Sequence, residues 1–258
     1  MQATALITGA STGIGKDLAE IHASKGGDLV IVARSKDKLD TVKSELESKY
    51  GIKVLVLVKD LTKLTAAQEV YDEVKKTGLN IDILINNAGF GGLGQFNEQN
   101  PELLMQMINL NVTTLTLLTR LFMPDFLERN RGKVLNVSST ASLMPGPLQA
   151  VYFATKAYVT SFSNAIAEEL HNTDVTVTNL MPGATETDFG SRSGMDKTEM
   201  FKTAVSSMGV AKAGYAAMMK GKLDVISGLT TSQKMMMAMI PFMPKKMMLS
   251  QMRKMQTV

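Results

Sequence analysis

The sequence predicts a three-layer α/β fold, a doubly wound parallel sheet between helices, within one domain. Three observations predict it. Short apolar runs alternate with longer amphipathic ones, most of the short runs are apolar throughout, and the first of them leads into a glycine-rich turn. A strand covered by helices on both faces loses the polar alternation of a half-exposed one, so continuous apolar runs mark parallel strands. Regular alternation with helices then winds those strands into one sheet.

The elements follow in order. The first strand is expected at residues 3–8, and the turn after it opens into a helical pattern with Ile14, Leu18 and Ile21 at i, i+4 and i+7. Further strands are expected at 29–33, 54–58, 83–86, 134–138, 175–181 and 224–227. Between the fourth and fifth lies a long helix carrying Leu103, Leu104, Met107, Ile108 and Leu110. No linker or internal repeat interrupts the series. Two stretches break the rhythm: 188–207, rich in Gly, Ser and charge, read as a lid, and 229–258, rich in Met and Lys, read as a C-terminal extension to a domain of residues 1–228.

Composition excludes several function classes. Without cysteine the chain has no disulfide, thiolate nucleophile or cysteine-ligated zinc, and its two histidines, His22 and His171, lack a local metal-binding spacing, so no metal is expected. The net charge of +4 resides in the tail: after Asp224 there are five cations and no acids, leaving −1 for the rest. Nucleic-acid binding is therefore not expected. Met1 is followed directly by the first strand, with no secretion signal, and the longest apolar run, 235–244, is about half of what a bilayer span needs. A cytoplasmic protein is expected.

The turn Gly9-Ala10-Ser11-Thr12-Gly13-Ile14-Gly15 joins a strand to a helix. Such a turn lets the backbone approach a pyrophosphate at the positive helix N-terminus, and Gly15 allows close packing of helix on strand. At the end of the second strand, Arg34-Ser35 stands where an acid would bind a ribose 2′-hydroxyl. A cation there pairs with a 2′-phosphate instead, which predicts NADP(H) in preference to NAD(H). Lys16 is a weaker phosphate candidate.

The glycine spacing resembles that of the short-chain dehydrogenase/reductase family, and the resemblance recurs at later strand ends. It covers about residues 3–228 and implies a Rossmann-type domain. By resemblance, Asp60-Leu61 holds the adenine, Asn87-Ala88-Gly89 steadies the sheet beside the cofactor, and Pro182, Gly183, Thr185 and Thr187 hold the nicotinamide end. Ser139, Tyr152 and Lys156 match the family's catalytic triad in order and spacing, and Asn111 matches an Asn that holds a water linking the lysine to solvent. Asn109, two residues away, is the alternative.

Tyr152 and Lys156 lie four apart on one helical face. That spacing is not specific, because Tyr71 and Lys75 share it. Thirteen residues before Tyr152, however, comes Ser139 at a strand end, whereas the same offset from Tyr71 gives Val58. A free phenol has a pKa near 10, and the Lys156 ammonium together with an oxidised nicotinamide is expected to lower it. Tyr152 then exchanges a proton with a carbonyl or alcohol oxygen that Ser139 hydrogen-bonds, and Lys156 also binds the nicotinamide ribose.

The substrate is expected to be a lipophilic ketone or aldehyde, because 90–94, 142–149 and the lid are expected to wall the pocket, and Met144, Pro145, Pro147 and Leu148 offer no charge. Arg192 is read as a solvated lid residue. A 3-ketoacyl reductase or hydroxysteroid-type dehydrogenase is the alternative enzyme, and a catalytically silent dinucleotide-binding sensor the alternative class. In the family, helices matching 101–123 and 154–170 form a dimer seam, which implies a homodimer. Met248, Met252 and Met255 form an apolar stripe in the tail, suited to packing over the pocket or to weak membrane-surface contact.

Overall fold

The computed structural model describes residues 3–198, 201 and 204–257. Residues 199, 200, 202 and 203 of the expected lid lie outside the described residues.

A single parallel sheet of seven strands organises the chain: β1 (Thr4–Thr8), β2 (Asp28–Ala33), β3 (Val54–Val58), β4 (Ile83–Asn86), β5 (Gly132–Val137), β6 (Val175–Pro182) and β9 (Asp224–Ser227), in the order β3-β2-β1-β4-β5-β6-β9. The chain winds outward from β1 to one edge, then returns to β4 and winds to the other. The strand order thus reverses between β1 and β4, and in such sheets the crevice beyond the strand ends at that reversal binds ligand. The strands are those the apolar runs predict, with ends displaced by one or two residues.

Helices cover both faces because both faces of the inner strands are apolar. Helices α1 (Gly13–Ala23), α2 (Lys36–Tyr50) and α8 (Ser207–Met219) pack on one side around Ile7, Leu18, Ile31, Leu39 and Tyr215. Helices α3 (Ala66–Lys76), α5 (Leu115–Glu128) and α6 (Ala150–Glu169) pack on the other around Leu6, Val30, Val70, Phe122 and Phe126. The helix α4 (Pro101–Ile108) runs into α5 through a wider π-helical turn, Asn109–Thr114.

The stretch that breaks the rhythm after β6 has structure of its own. A two-residue strand β7 (Thr185–Glu186) pairs with β8 (Val205–Ser206), and between them lies the short helix α7 (Asp188–Ser193). Beyond β9, the tail forms α9 (Thr231–Met239), opened by a capping box of Thr230 and Gln233, and α10 (Lys245–Gln256). Met248 and Met252 are buried in one cluster with Met107, Met144, Tyr152 and Phe153, so the tail packs behind the active-site end of the domain.

Candidate active site

The site is a cavity of about 640 Å³ beyond the C-terminal ends of β1, β4, β5 and β6, a volume within the range of ligand pockets. One end is the glycine turn. Gly9 and Gly13 have φ of 66° and 55°, conformations that side chains disfavour. Thr12 precedes α1 without a side-chain cap, and a Cβ on Gly13 would lie 2.7 Å from Thr187 Cγ2, so backbone amides at the helix start face a narrow gap roofed by the segment after β7. Gly15 does not line the cavity. A Cβ there would stand 2.3 Å from the Gly9 carbonyl oxygen and 2.4 Å from Asn87 Nδ2, so its role is the close packing that holds the turn.

The strand ends around that turn are stitched together. Asn87 Nδ2 donates to the carbonyls of Thr8 (2.9 Å) and Gly9 (3.2 Å), and the amides of Asn87 and Ala88 both donate to Thr8 Oγ1 at 3.0 Å. Ala88 and Gly89 continue the cavity wall, as do Ser11, Thr12, Ile14, Pro182, Gly183, Thr185 and Thr187. Asp60 and Leu61 line it after β3, with Asp60 Oδ1 accepting from Thr62 N and Oγ1. Arg34 and Ser35 line its far end, both exposed. Ser35 precedes α2 without using its hydroxyl as a cap.

Lys38 lines the same end, a cation the sequence reading passed over. Its spacing four residues after Arg34, at the start of a helix, was the available signal. It reaches Asp188 of α7 at 3.5 Å, and Asp188 also pairs with Arg192 at 3.4 Å. Arg192 lines the cavity but stays mostly in solvent. Lys16, by contrast, turns outward to Glu45 (2.8 Å) and is not part of the wall.

Ser139, Tyr152 and Lys156 meet on the opposite wall. Ser139 follows β5, and its Oγ accepts from Ala141 N at 3.1 Å, which fixes the serine where the chain turns. Tyr152 and Lys156 project from the first turns of α6, and Lys156 Nζ donates to the Val137 carbonyl at 2.8 Å and lies 5.9 Å from the Tyr152 ring centre. Burial pushes the Tyr152 phenol up to about 12, only partly offset by a hydrogen bond with Ser139, and pushes the Lys156 ammonium down to about 8. The Lys156 ammonium alone does not offset that burial; the lowering expected from Lys156 together with an oxidised nicotinamide concerns the cofactor-bound site. Removal from water outweighs a cation whose nearest contact is a backbone carbonyl.

Asn111 sits behind this wall rather than in it. The π-helical turn directs its side chain inward, where Nδ2 donates to Phe90 O (2.9 Å) and Thr155 Oγ1 (3.1 Å) and Oδ1 accepts from Phe90 N (3.2 Å). Gly89 makes room for it: a Cβ there would be 3.1 Å from Asn111 Oδ1 and 3.4 Å from Lys156 Nζ. Asn109 is only half-buried. Ser138 points into α6, bonding the Lys156 carbonyl and Thr160, each at 2.9 Å. Tyr71 is remote from the cavity, half-buried against Phe122, with Lys75 bound to Asp125.

One expectation about the substrate wall is corrected. Of residues 90–94 and 142–149 only Phe90 lines the cavity; the apolar wall comes from Leu103, Leu110, Phe153, Phe189, Met195 and Phe201. Met144 faces the other way, because the tail methionines offer it a dry partner. The wall is apolar as expected, and Phe90 with the lid residues Phe189, Met195 and Phe201 supplies it as expected, while Leu103, Leu110 and Phe153 stand in for 142–149.

Amides at a glycine-lined helix start, an exposed cation at the second strand end and a paired phenol and ammonium fit a phosphorylated dinucleotide. Comparison with known proteins points the same way. A family model described as short chain dehydrogenase matches residues 3–198. Very-long-chain 3-oxoacyl-CoA reductase of Homo sapiens is 36% identical over 184 residues, 69% of this chain and 58% of that protein. This chain thus spans little more than half the length of the curated relatives it matches. Among solved structures, a short-chain dehydrogenase from Sphingobium yanoikuyae in complex with NADPH is 33% identical, with a TM-score of 0.83 over 90% of each chain. A structure of 7β-hydroxysteroid dehydrogenase is 26% identical, with a TM-score of 0.86 over 97% of this chain and 96% of that one.

Proposed function

We propose that this chain, which belongs to the short-chain dehydrogenase family, is an NADP(H)-dependent oxidoreductase that interconverts the carbonyl and alcohol forms of a lipophilic substrate. The observation that carries the proposal is the convergence of Ser139, Tyr152 and Lys156 on one cavity that also reaches Arg34. The NADPH complex of the Sphingobium yanoikuyae relative supports the cofactor.

The amides of the Gly9–Gly15 turn would hold the pyrophosphate, and Arg34 with Ser35 the 2′-phosphate. Asp60 and Leu61 would hold the adenine, and Pro182, Gly183, Thr185 and Thr187 the nicotinamide end. When bound, the cofactor supplies or removes the hydride at the substrate carbon. The chain's own residues handle the proton. Ser139 hydrogen-bonds the substrate oxygen, and the Tyr152 O–H donates its proton to that oxygen during reduction. Lys156 stabilises the phenolate left behind, and Asn111, through the backbone of Phe90, holds the wall beside the lysine.

The Tyr152 phenol is protonated at neutral pH, the form that donates during reduction, and donates the more readily the closer its pKa comes to the working pH. The apolar wall of Phe90, Leu103, Phe153 and Phe189 favours a ketone or aldehyde without charge near the reacting carbon. A second reading, reduction of a 3-oxoacyl thioester, is favoured by the name of the human relative. A homodimer across α5 and α6 is also proposed, since Leu117 and Tyr158 are exposed there; a tetramer by light scattering would count against it.

The test is a panel of ketones, aldehydes and 3-oxoacyl thioesters with NADPH and with NADH, followed by nicotinamide absorbance. Tyr152→Phe should lower turnover by about a hundredfold to ten-thousandfold, the usual worth of a general acid, while NADPH binding is retained. Undiminished turnover in that variant would overturn the assignment.

A further inference from the structure

The C-terminal helices have an outer face that the oxidoreductase reading does not use. Their inner faces meet one cluster: Met237 of α9 and Met248 and Met252 of α10 pack with Met144, Tyr152 and Phe153. Their outer faces therefore look away from that cluster. Along the outer side of α9, Met235 and Met239 lie at i and i+4, and Phe242 follows at i+7 in the next turn; they are 69%, 55% and 79% exposed. Met247, at the start of α10, is 56% exposed. A single exposed hydrophobe is ordinary, but several grouped within residues 235–247 mark a surface that meets something apolar.

The charge on the tail is all of one sign. Lys234, Lys245, Lys246, Arg253 and Lys254 are exposed, none forms an ion pair among the described residues, and no acidic residue follows Asp224. Lys246 and Arg253, seven apart, share the side of α10 opposite the buried Met248 and Met252. An apolar strip flanked by unpaired cations is complementary to a surface with an apolar interior and anionic headgroups. A second copy of the chain suits it less well, because a two-fold contact would set these cations against themselves.

We propose that the outer face of α9, the turn at 240–242 and α10 docks on an anionic bilayer surface, with Met235, Met239 and Phe242 entering the acyl boundary and the lysines and arginine meeting the headgroups. Among the described residues no helix is long and apolar enough to cross a membrane, so the contact is at the surface. Since the same helices back Tyr152 and Phe153, docking would bring the catalytic end of the domain close to the bilayer. That consequence for substrate delivery rests on the lipophilic-substrate reading; the docking itself does not.

The full-length chain is to be sedimented with phosphatidylcholine vesicles and with vesicles that also contain phosphatidylserine. Binding should be strong only with phosphatidylserine and fall as salt is raised. Lys246→Gln and Arg253→Gln should each weaken it about fivefold, the worth of one cation at an anionic membrane. Met239→Glu with Phe242→Glu should abolish it without moving the thermal unfolding midpoint, since both side chains are exposed. Sedimentation equal for wild type and variants, or no sedimentation with phosphatidylserine, overturns the proposal. So does light scattering in which the Glu variants lose a subunit contact, since the face would then belong to a protein partner. Vesicle binding is read without turnover, so its outcome is separate from that of the enzymatic assignment.

Discussion

Tyr152 and Lys156 are moved in opposite directions by one cause, since burial penalises the charged form of each: a phenolate in one, an ammonium in the other. With Tyr152 at about 12 and Lys156 at about 8, the phenol holds its proton through the neutral range while the lysine starts to lose its charge just above it. Reduction, which needs the Tyr152 proton and the Lys156 cation together, is expected to be level below pH about 8 and to decline above it, measured as kcat/KM against pH with NADPH. A rate that climbs above that point would assign the proton to another group. Arg34 makes a second prediction at this scale. Arg34→Glu should raise the KM for NADPH about tenfold to a hundredfold, the worth of a charged hydrogen bond, and leave that for NADH little changed. Both residues were legible in sequence for physical reasons. Arg34 stands where an acid would repel a 2′-phosphate, and Tyr152 is distinguished from Tyr71 by a serine at the right strand end. Lys38 was passed over, since its spacing four residues after Arg34 does not by itself tell which side of α2 faces the cavity.

At the scale of elements, the alternation of apolar runs made every strand of the large sheet readable, and the glycines made the turn readable. The packing that keeps the turn in shape is tighter than sequence reveals. Gly15→Ala drives a Cβ into the Gly9 carbonyl and the Asn87 amide, both held in place by the hydrogen bonds between β1 and β4. Such overpacking should cost about 1–3 kcal/mol of stability, read by thermal unfolding, and weaken NADPH binding in a fluorescence titration. Wild-type NADPH affinity in that variant would show that the turn tolerates the shift. The π-helical turn escaped sequence reading altogether, because a regular 3.6-residue period cannot say which of Asn109 and Asn111 faces inward. Hidden too was a polar row across the sheet, with Asn86, Asn136, Asn179 and Asp224 in register on β4, β5, β6 and β9. Asn86 Nδ2 donates to Asn136 Oδ1 and Asn136 Nδ2 to Ser163 Oγ, each at 2.9 Å. Asn136→Ala removes both bonds from a dry layer and should lower stability by about 1–3 kcal/mol.

For the whole molecule, the unit that joins distant parts of the chain is His22, which the sequence offered only as an isolated histidine unsuited to metal. It is buried on α1, its Nε2 lies 2.9 Å from the Ala3 carbonyl before β1, and its Nδ1 lies 2.9 Å from Tyr215 Oη on α8. A carbonyl oxygen only accepts, so Nε2 carries a proton, and in the neutral ring Nδ1 accepts from the Tyr215 hydroxyl. Burial favours that neutral ring. Burial holds His22 below its ordinary value of 6.5, outweighing the hydrogen bonds to the Ala3 and Asp28 backbone that favour protonation. As pH falls below 6.5 the unfolded chain takes up the proton first, so stability is full above 6.5 and is lost as pH drops through the lower folded value. Glu20, held low chiefly by its hydrogen bond with Lys49, and Glu69, chiefly by that with Thr65, add their own loss only below their ordinary 4.5. Between 4.5 and 6.5 the slope of the unfolding midpoint against pH should therefore come largely from His22. In His22→Phe that slope should flatten while the midpoint at neutral pH falls, because Ala3 and Tyr215 both lose their partner. A slope unchanged in the variant would place the acid sensitivity elsewhere in the fold.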